Sequence, residues 1–115
     1  MLLFLLILNA AFANTFTATA YTKSCRGCSG ITATGIPADA WGPVKIMAVD
    51  PNVLDLGACY ILQFEDGHRS LYLAADTGSQ IRGRKVDLLL KSESSAKKFG
   101  RQKVRVVKKT KCPKH

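Results

Sequence analysis

One stretch decides the fold: Ser70-Leu71-Tyr72-Leu73-Ala74-Ala75-Asp76-Thr77-Gly78. Ser70 to Ala75 is a nearly continuous apolar run, typical of a β-strand that is covered on both faces. Asp66-Gly67 ahead of it indicates a hairpin, so this strand should return against an extended segment from Ala58 to Phe64. The run ends in Asp76, which places a carboxyl group directly after a buried strand.

Further strands are predicted, two of them, at Phe16 to Tyr21 and Lys103 to Val106, by alternation of apolar and polar side chains. The others are Val44 to Val49 and Val86 to Leu90. One short helix is predicted, because Ser92 can cap its start and Gly100 suits its end. Residues 22–43 are broken by Gly and Pro and should form a long loop of the kind that often carries function. Many short strands around one helix favour a small β-barrel in a single domain.

The N-terminal residues MLLFLLILNAAFA are uncharged and apolar and end in Ala11-Phe12-Ala13, a pattern that suits signal peptidase. We therefore expect an export signal over residues 1–13, a domain over 14–108 and a basic tail over 109–115. A buried N-terminal strand is the alternative. A membrane anchor is disfavoured because a spanning helix needs about 20 apolar residues. The mature protein should be secreted or periplasmic.

Four cysteines, Cys25, Cys28, Cys59 and Cys112, fit an oxidising compartment. Cys25 and Cys28 are close enough to bond to each other or to form half of a four-cysteine metal site, whose second close pair is missing. The favoured disulfides are therefore Cys25–Cys28 and Cys59–Cys112. Structural zinc and a redox-active Cys25–Cys28 pair are the alternatives.

The formal net charge of +9 is unevenly distributed, since thirteen of the seventeen Lys and Arg residues follow position 80, opposed there by only Asp87 and Glu93. Such a surface attracts anionic partners, and for an exported protein these are carboxylates of wall peptides, teichoic polymers or lipid headgroups. Nucleic acid is disfavoured because Trp41 and the scattered aromatics form no stacking platform. A solvated surface that merely aids solubility is the alternative.

Three aspartates stand in apolar surroundings: Asp50 and Asp76 at strand ends and Asp87 within a strand. Buried carboxyl groups are either hydrogen-bonded structural elements or tuned acids. The histidines, His68 and His115, lie in a turn and at the terminus, which disfavours a nucleophilic triad. The dense Asp/Asn spacing of calcium loops is missing, so no metal or other cofactor is expected. Acid catalysis on a leaving group that needs a proton, such as a glycosidic oxygen, remains.

Six blocks of the sequence then form a recognisable series: Thr17 to Thr22, Gly30 to Gly35, Met47 to Pro51, Leu56-Gly57, Ala74 to Gly78 and Lys85 to Leu88. In order and spacing they resemble the 3D (three-aspartate) domain family, over about residues 15 to 108. That family is similar to the catalytic barrel of membrane-bound lytic transglycosylase A. The resemblance implies a six-stranded double-psi β-barrel that cleaves peptidoglycan glycan strands without water.

The resemblance also implies roles for individual residues. Asp76 would be the catalytic acid, while Asp50 and Asp87 would line or brace the same groove. Asp76 would protonate the oxygen of the β-1,4 bond from N-acetylmuramic acid to N-acetylglucosamine and then accept the proton of the C6 hydroxyl, which leaves a 1,6-anhydro end. Burial and a neighbouring carboxylate should keep this acid protonated. The residues expected to contact sugar are Tyr21, Thr34, Thr77 and Gly78.

One departure from the family pattern follows Asp76. The family usually continues Gly-Gly-Ala-Ile-Lys-Gly, whereas this chain has Gly78-Ser79-Gln80-Ile81-Arg82-Gly83, which affects the expected subsite preference. The expected partner is the glycan strand, bound by a monomer at the cell wall. A non-catalytic wall-binding barrel of the expansin kind is the rival interpretation.

Overall fold

A computed structural model describes residues 14–24, 30–36 and 44–113. Their elements are β1 (Thr15–Tyr21), β2 (Lys45–Val49), β3 (Cys59–Gln63), β4 (Arg69–Asp76), β5 (Lys85–Leu89), α1 (Glu93–Phe99) and β6 (Gln102–Thr110). Every predicted strand and the predicted helix are confirmed. The expectations for the export signal and for Cys25 and Cys28 lie outside the described residues.

The six strands form one sheet that closes on itself in the order β1-β5-β2-β4-β3-β6. β1 pairs with β5, and β2 with β4, in parallel, while the other four pairings are antiparallel. Each described strand therefore has a hydrogen-bonded neighbour on both sides, which leaves no strand edge open for aggregation. The prediction of a mainly β, six-stranded domain with one short helix is confirmed.

Two apolar clusters explain the strand sequences. The first takes two side chains from each strand and fills the inside of the barrel: Phe16, Ala18, Met47, Val49, Tyr60, Leu62, Tyr72, Ala74, Val86, Leu88, Val104 and Val106. The second lies on the opposite face of the sheet and contains Val44, Ile46, Cys59, Leu73, Ala75 and Leu89, with Tyr21 and Ile36 packed against it. Residues Leu71 to Ala75 of β4 are apolar without a break because this strand contributes to both clusters, as its sequence predicts.

The helix ends follow the predicted signals. The Ser92 side chain accepts a hydrogen bond from the Ser95 amide, and Gly100, with φ of 62°, ends the helix and donates its amide to the Ala96 carbonyl. Phe99 packs against the first cluster. Among the described residues, no helix is long and apolar enough to cross a membrane.

The C-terminal part is tied to the barrel by a disulfide. Cys59 and Cys112 are bonded, with Cα atoms 5.2 Å apart, which confirms this predicted pair. β6 continues to Thr110, and Lys109 Nζ lies 2.7 Å from Asp55 Oδ2. The folded part therefore extends past residue 108, where the basic tail was expected to begin.

Candidate active site

A β-bulge directs Asp76 to the outer face of the barrel. The β2–β4 register pairs Met47 with Ala74 and then Ala48 with Asp76, so Ala75 is an extra residue on β4. Regular alternation after the inward-facing Ala74 would have turned Asp76 inward as well. Bulges often reorient a side chain beside an active site. Here the bulge brings Asp76 into one row with Ala48.

Asp87 lies in the same row on the other side of β2. Ala48 pairs with Asp87 of β5 as well as with Asp76 of β4, so the two aspartates flank one small residue. Two interstrand spacings place their Cα atoms about 10 Å apart. Val86 and Leu88 on either side of Asp87 face the interior cluster, which leaves the Asp87 side chain on the outer face.

Three donors converge on the half-buried carboxylate of Asp76. Oδ1 accepts hydrogen bonds from the amides of Ala33 and Thr77, each at 2.9 Å, and Oδ2 accepts one from the Tyr21 hydroxyl at 3.1 Å. A carboxylate oxygen has two lone pairs. Oδ1 is therefore saturated, whereas Oδ2 keeps one position at which a proton can be carried and transferred.

The loop of residues 30–36 is fixed to the end of β4. The amide and the hydroxyl of Thr34 both donate to the Ala75 carbonyl, at 3.0 and 2.9 Å, and Thr32 Oγ1 donates to the Ile36 carbonyl at 2.8 Å. These bonds hold the Ala33 amide against Asp76. Thr34, expected to bind sugar, is thus bonded to the protein beside the groove and is not among its lining residues.

The groove beside Asp76 encloses about 230 Å³ and is lined by Tyr21, Ala48, Asp76, Thr77, Gly78, Ser79, Gln80, Ile81 and Asp87. It contains five of the residues predicted for the site: Tyr21, Asp76, Thr77, Gly78 and Asp87. A Cβ on Gly78 would lie 3.1 Å from Ile81 Cγ1, so glycine permits the close approach of this wall. The volume is below the roughly 300 Å³ at which drug-sized pockets begin, and it suits one sugar ring of a longer chain.

Burial dominates the electrostatics of the groove. Burial raises the pKa of Asp87, and the nearby charge of Asp76 raises it further. A hydrogen bond of 2.8 Å from Thr19 Oγ1 and the charge of Lys85 lower the same pKa by less. Burial, followed by the charge and hydrogen bond of Asp76, also raises the pKa of Tyr21 above its ordinary value. Tyr21 therefore keeps its hydroxyl proton and acts as a donor.

Asp50 lies outside this groove. The amides of Gly83 and Asn52 donate to its carboxylate at 2.8 and 3.0 Å and lower its pKa. Gly83, with φ of 64°, stands just beyond the Thr77 to Ile81 wall. Asp50 thus anchors the far end of the segment that carries the groove wall.

Two residues that hydrogen-bond to the groove aspartates, Ala33 and Thr19, are not among the predicted site residues. Ala33 acts through its backbone amide, which no side-chain pattern reports. Thr19 lies two residues before Tyr21 in β1, so the period of two indicates that both side chains lie on the outer face. Within residues 14–24, 30–36 and 44–113, no group of three or more His, Cys, Asp or Glu side chains could hold a metal ion.

The fold and site define a closed, six-stranded β domain with two aspartates in an outer groove. The chain matches the family model described as the 3D domain over residues 45–108, and it belongs to that family. The resemblance inferred from the motif blocks is confirmed. The blocks that contain Tyr21 and Ala33 precede the matched span, yet the fold brings both residues to Asp76.

Three proteins of Bacillus subtilis (strain 168) are similar to this chain. A putative cell wall shaping protein, YabE, is 44% identical over 92 residues, which are 80% of this chain and 22% of that protein. A cell wall-binding protein, YocH, is 43% identical over 93 residues, 80% of this chain and 31% of that protein. An SPbeta prophage-derived uncharacterized protein, YorM, is 40% identical over 93 residues, 77% and 39% respectively. The chain thus spans well under half of each relative.

Proposed function

We propose that this chain is a lytic transglycosylase that cleaves the β-1,4 bond between N-acetylmuramic acid and N-acetylglucosamine in peptidoglycan, with Asp76 as its acid. The observation that carries the proposal is the convergence of three donors on Asp76 in a groove, with one position of Oδ2 left for a proton. Membership of the 3D family and relatives named for cell wall shaping and cell wall binding support a role at the wall.

The reaction needs two proton transfers, and Asp76 takes part in both. Asp76 Oδ2 gives its proton to the glycosidic oxygen as the bond from C1 of the muramic acid to that oxygen breaks. The C6 hydroxyl oxygen of the same ring then attacks C1, and the proton of that hydroxyl passes to Asp76. The atoms balance without water. Ordinary glycosidases need a second carboxylate, either to activate water or to attack the sugar, and this reaction does not.

The neighbouring groups would support the charge changes of this step. When Asp76 loses its proton, the Ala33 and Thr77 amides and the Tyr21 hydroxyl stabilise the carboxylate that forms. Asp87 would face the positive charge that develops on the sugar ring. Asp50 would act at a distance by holding the groove wall through Gly83.

Finer structural and cellular expectations belong to the same proposal. The mixed parallel and antiparallel pairing of the closed sheet is consistent with a double-psi barrel. We further propose that residues 1–13 direct export and that the protein acts at the wall as a monomer. Peptidoglycan glycan strands would be its partners, with added contact to anionic wall polymers.

The test is mass spectrometry of fragments released from purified sacculi by the chain from Asn14 onward, compared with Asp76→Asn. Asp66→Asn, which alters an exposed hairpin carboxylate outside the groove, is the matched control. We expect 1,6-anhydro-muropeptides from the parent and the control, and none from Asp76→Asn. Equal release by Asp76→Asn would overturn the assignment of the acid, and reducing-end products would indicate a hydrolase.

A second candidate is a wall-binding barrel without catalysis, favoured by the relative named as a cell wall-binding protein. In that case the same groove would hold a sugar ring without breaking its bond. Sacculus binding by the parent without any released fragment would establish this alternative in place of the transglycosylase.

A further inference from the structure

A group of cations on the outer face of the barrel adjoins the groove. Lys103 and Lys85 pair with Thr17 from its two sides, and Arg105 pairs with Thr15. We name Lys85, Lys103 and Arg105 the basic row. Their strand neighbours Val86, Val104 and Val106 face the interior cluster, so the basic row lies on the same outer face as Asp87.

The spacing connects the basic row to the groove. Lys85 and Asp87 are two residues apart on β5, about 7 Å, and Lys103 lies two strands from Lys85, about 10 Å. Lys85 Nζ reaches the carbonyl of Gln80, a groove residue, at 3.4 Å, and Lys103 Nζ donates to Thr17 Oγ1 at 3.1 Å. A ligand that leaves the groove past Asp87 would therefore meet two ammonium groups in succession.

The basic row continues into a second depression. A concavity of about 270 Å³ is lined by Thr15, Gln63, Phe64, Glu65, Lys103, Val104 and Arg105. Glu65 is its acidic member, and Glu65 Oε1 accepts a hydrogen bond of 2.9 Å from the Lys103 amide. The acidic groups beside the basic row are thus Asp87 at one end and Glu65 at the other.

We propose that the basic row binds carboxylates of the stem peptide carried by the muramic acid ring in the groove. This proposal rests on the proposed function. The peptide starts from the lactyl ether of that ring, so its carboxylates lie within reach of cations that begin about 7 Å from Asp87. An anionic substrate must approach Asp76 and Asp87, and the basic row offsets the repulsion.

A phosphodiester polymer fits these observations less well. Such a polymer presents many charges along its length and has no need of a site beside a sugar groove. Three cations that adjoin the groove suit the few carboxylates of one peptide. Binding of the polymer in preference to the peptide is therefore an outcome that the experiment must distinguish.

The experiment uses an Asp76→Asn background, so that the ligand is not cut. Two ligands are titrated by calorimetry at low salt: soluble glycan strands with stem peptides, and the same strands after an amidase has removed the peptides. Lys85→Gln with Lys103→Gln is compared with Lys97→Gln and Lys98→Gln, an equal loss of charge on α1. Lys85→Arg with Lys103→Arg tests rescue, and thermal melting checks folding.

We expect the Gln pair in the basic row to bind peptide-bearing strands about three- to tenfold more weakly, as the loss of two partly exposed ion pairs allows. Peptide-free strands should bind unchanged, the helix pair should behave as the parent, and the Arg pair should restore binding. Salt should reduce the difference.

Equal weakening for both ligands, no weakening, or the same loss from the helix pair would overturn the proposal. Stronger binding of poly(glycerol phosphate) than of peptide-bearing strands, lost in the Gln pair, would also overturn it. The function is tested separately: if the parent releases no anhydro products while peptide-dependent binding persists, the transglycosylase fails and the basic row stands.

Discussion

Tyr21→Phe tests whether the donors around Asp76 serve catalysis. The Tyr21 hydroxyl donates to Asp76 Oδ2, the oxygen that keeps a position for the transferred proton. The ring packs against the second apolar cluster, and phenylalanine preserves that packing. Because burial and two carboxylates raise the pKa of Tyr21, the hydroxyl donates throughout the pH range in which a carboxylic acid can act.

The expected loss follows from one hydrogen bond. A hydrogen bond to a charged group contributes about 1.5–3 kcal/mol. The distance of 3.1 Å exceeds the 2.7–2.8 Å typical of O–H···O bonds, so the lower figure applies. About 1.5 kcal/mol corresponds to roughly a tenfold lower rate. The loss should fall on kcat with KM nearly unchanged, because the bond stabilises the carboxylate formed as Asp76 gives up its proton.

The assay is the steady-state rate of anhydro-muropeptide release by the chain from Asn14 onward. Tyr60→Phe is the matched control, because the Tyr60 hydroxyl accepts a hydrogen bond from the Asp55 amide at 2.9 Å and is no part of the groove. It should lower stability and leave kcat intact. A kcat within twofold of the parent for Tyr21→Phe, or an equal loss for Tyr60→Phe, would refute the role of Tyr21.

Three further predictions concern stability. Replacing Cys59 by Ala and Cys112 by Ser opens a 53-residue loop and should lower the unfolding free energy by about 4 kcal/mol, measured by urea denaturation; a loss below about 1 kcal/mol would contradict this. The lowered pKa of Asp50 gives a stabilisation that is present above about pH 4 and is lost as pH falls through the lowered folded value. Asp50→Asn should therefore flatten the acid limb of a series of urea midpoints against pH, and an unchanged limb would contradict that. The raised pKa of Asp87 gives a contribution that is present below about pH 4 and is lost as pH rises through the folded value. Asp87→Asn, which keeps an acceptor for Thr19, should melt at a higher temperature than the parent at pH 7 but not at pH 3; equal melting at both would count against a buried, ionised Asp87.

The sequence was sufficient for the strands because the fold uses their alternation directly. Each strand gives two side chains to the interior cluster, and β4, whose run from Leu71 to Ala75 lacks alternation, supplies both clusters. The helix cap at Ser92 and the helix end at Gly100 depend on residues close in sequence, and both are found in the structure as predicted. Conversely, the alternation predicts that the last strand ends at Val106, whereas β6 continues to Thr110 because β3 pairs with Lys108 and Lys109.

The site was less predictable because it depends on register. Regular alternation along β4 would have placed Asp76 inside the barrel, and only the bulge at Ala75 turns it outward. Which carboxylates lie in one row depends on which strands adjoin β2. The strand order of the closed sheet determines this, and the periodicity of a single strand does not report it. The Thr34 hydroxyl, predicted to contact sugar, donates to the backbone carbonyl of Ala75 in the structure.

The residues that hold Asp76 and the residues that form the groove wall come largely from different segments, and this bears on the departure from the family pattern after Asp76. Apart from the adjacent Thr77 amide, the donors that hold Asp76 come from Tyr21 on β1 and from the loop of residues 30–36. Two of the departing residues, Ser79 and Gln80, instead form part of the groove wall. That wall is anchored independently, at Gly83 by Asp50 and at Gly78 by close contact with Ile81. Side chains at 79 and 80 can therefore change which sugar substituents fit while the bonds of the acid stay the same, so under the proposed function we expect the departure to alter selectivity and to leave the chemistry in place.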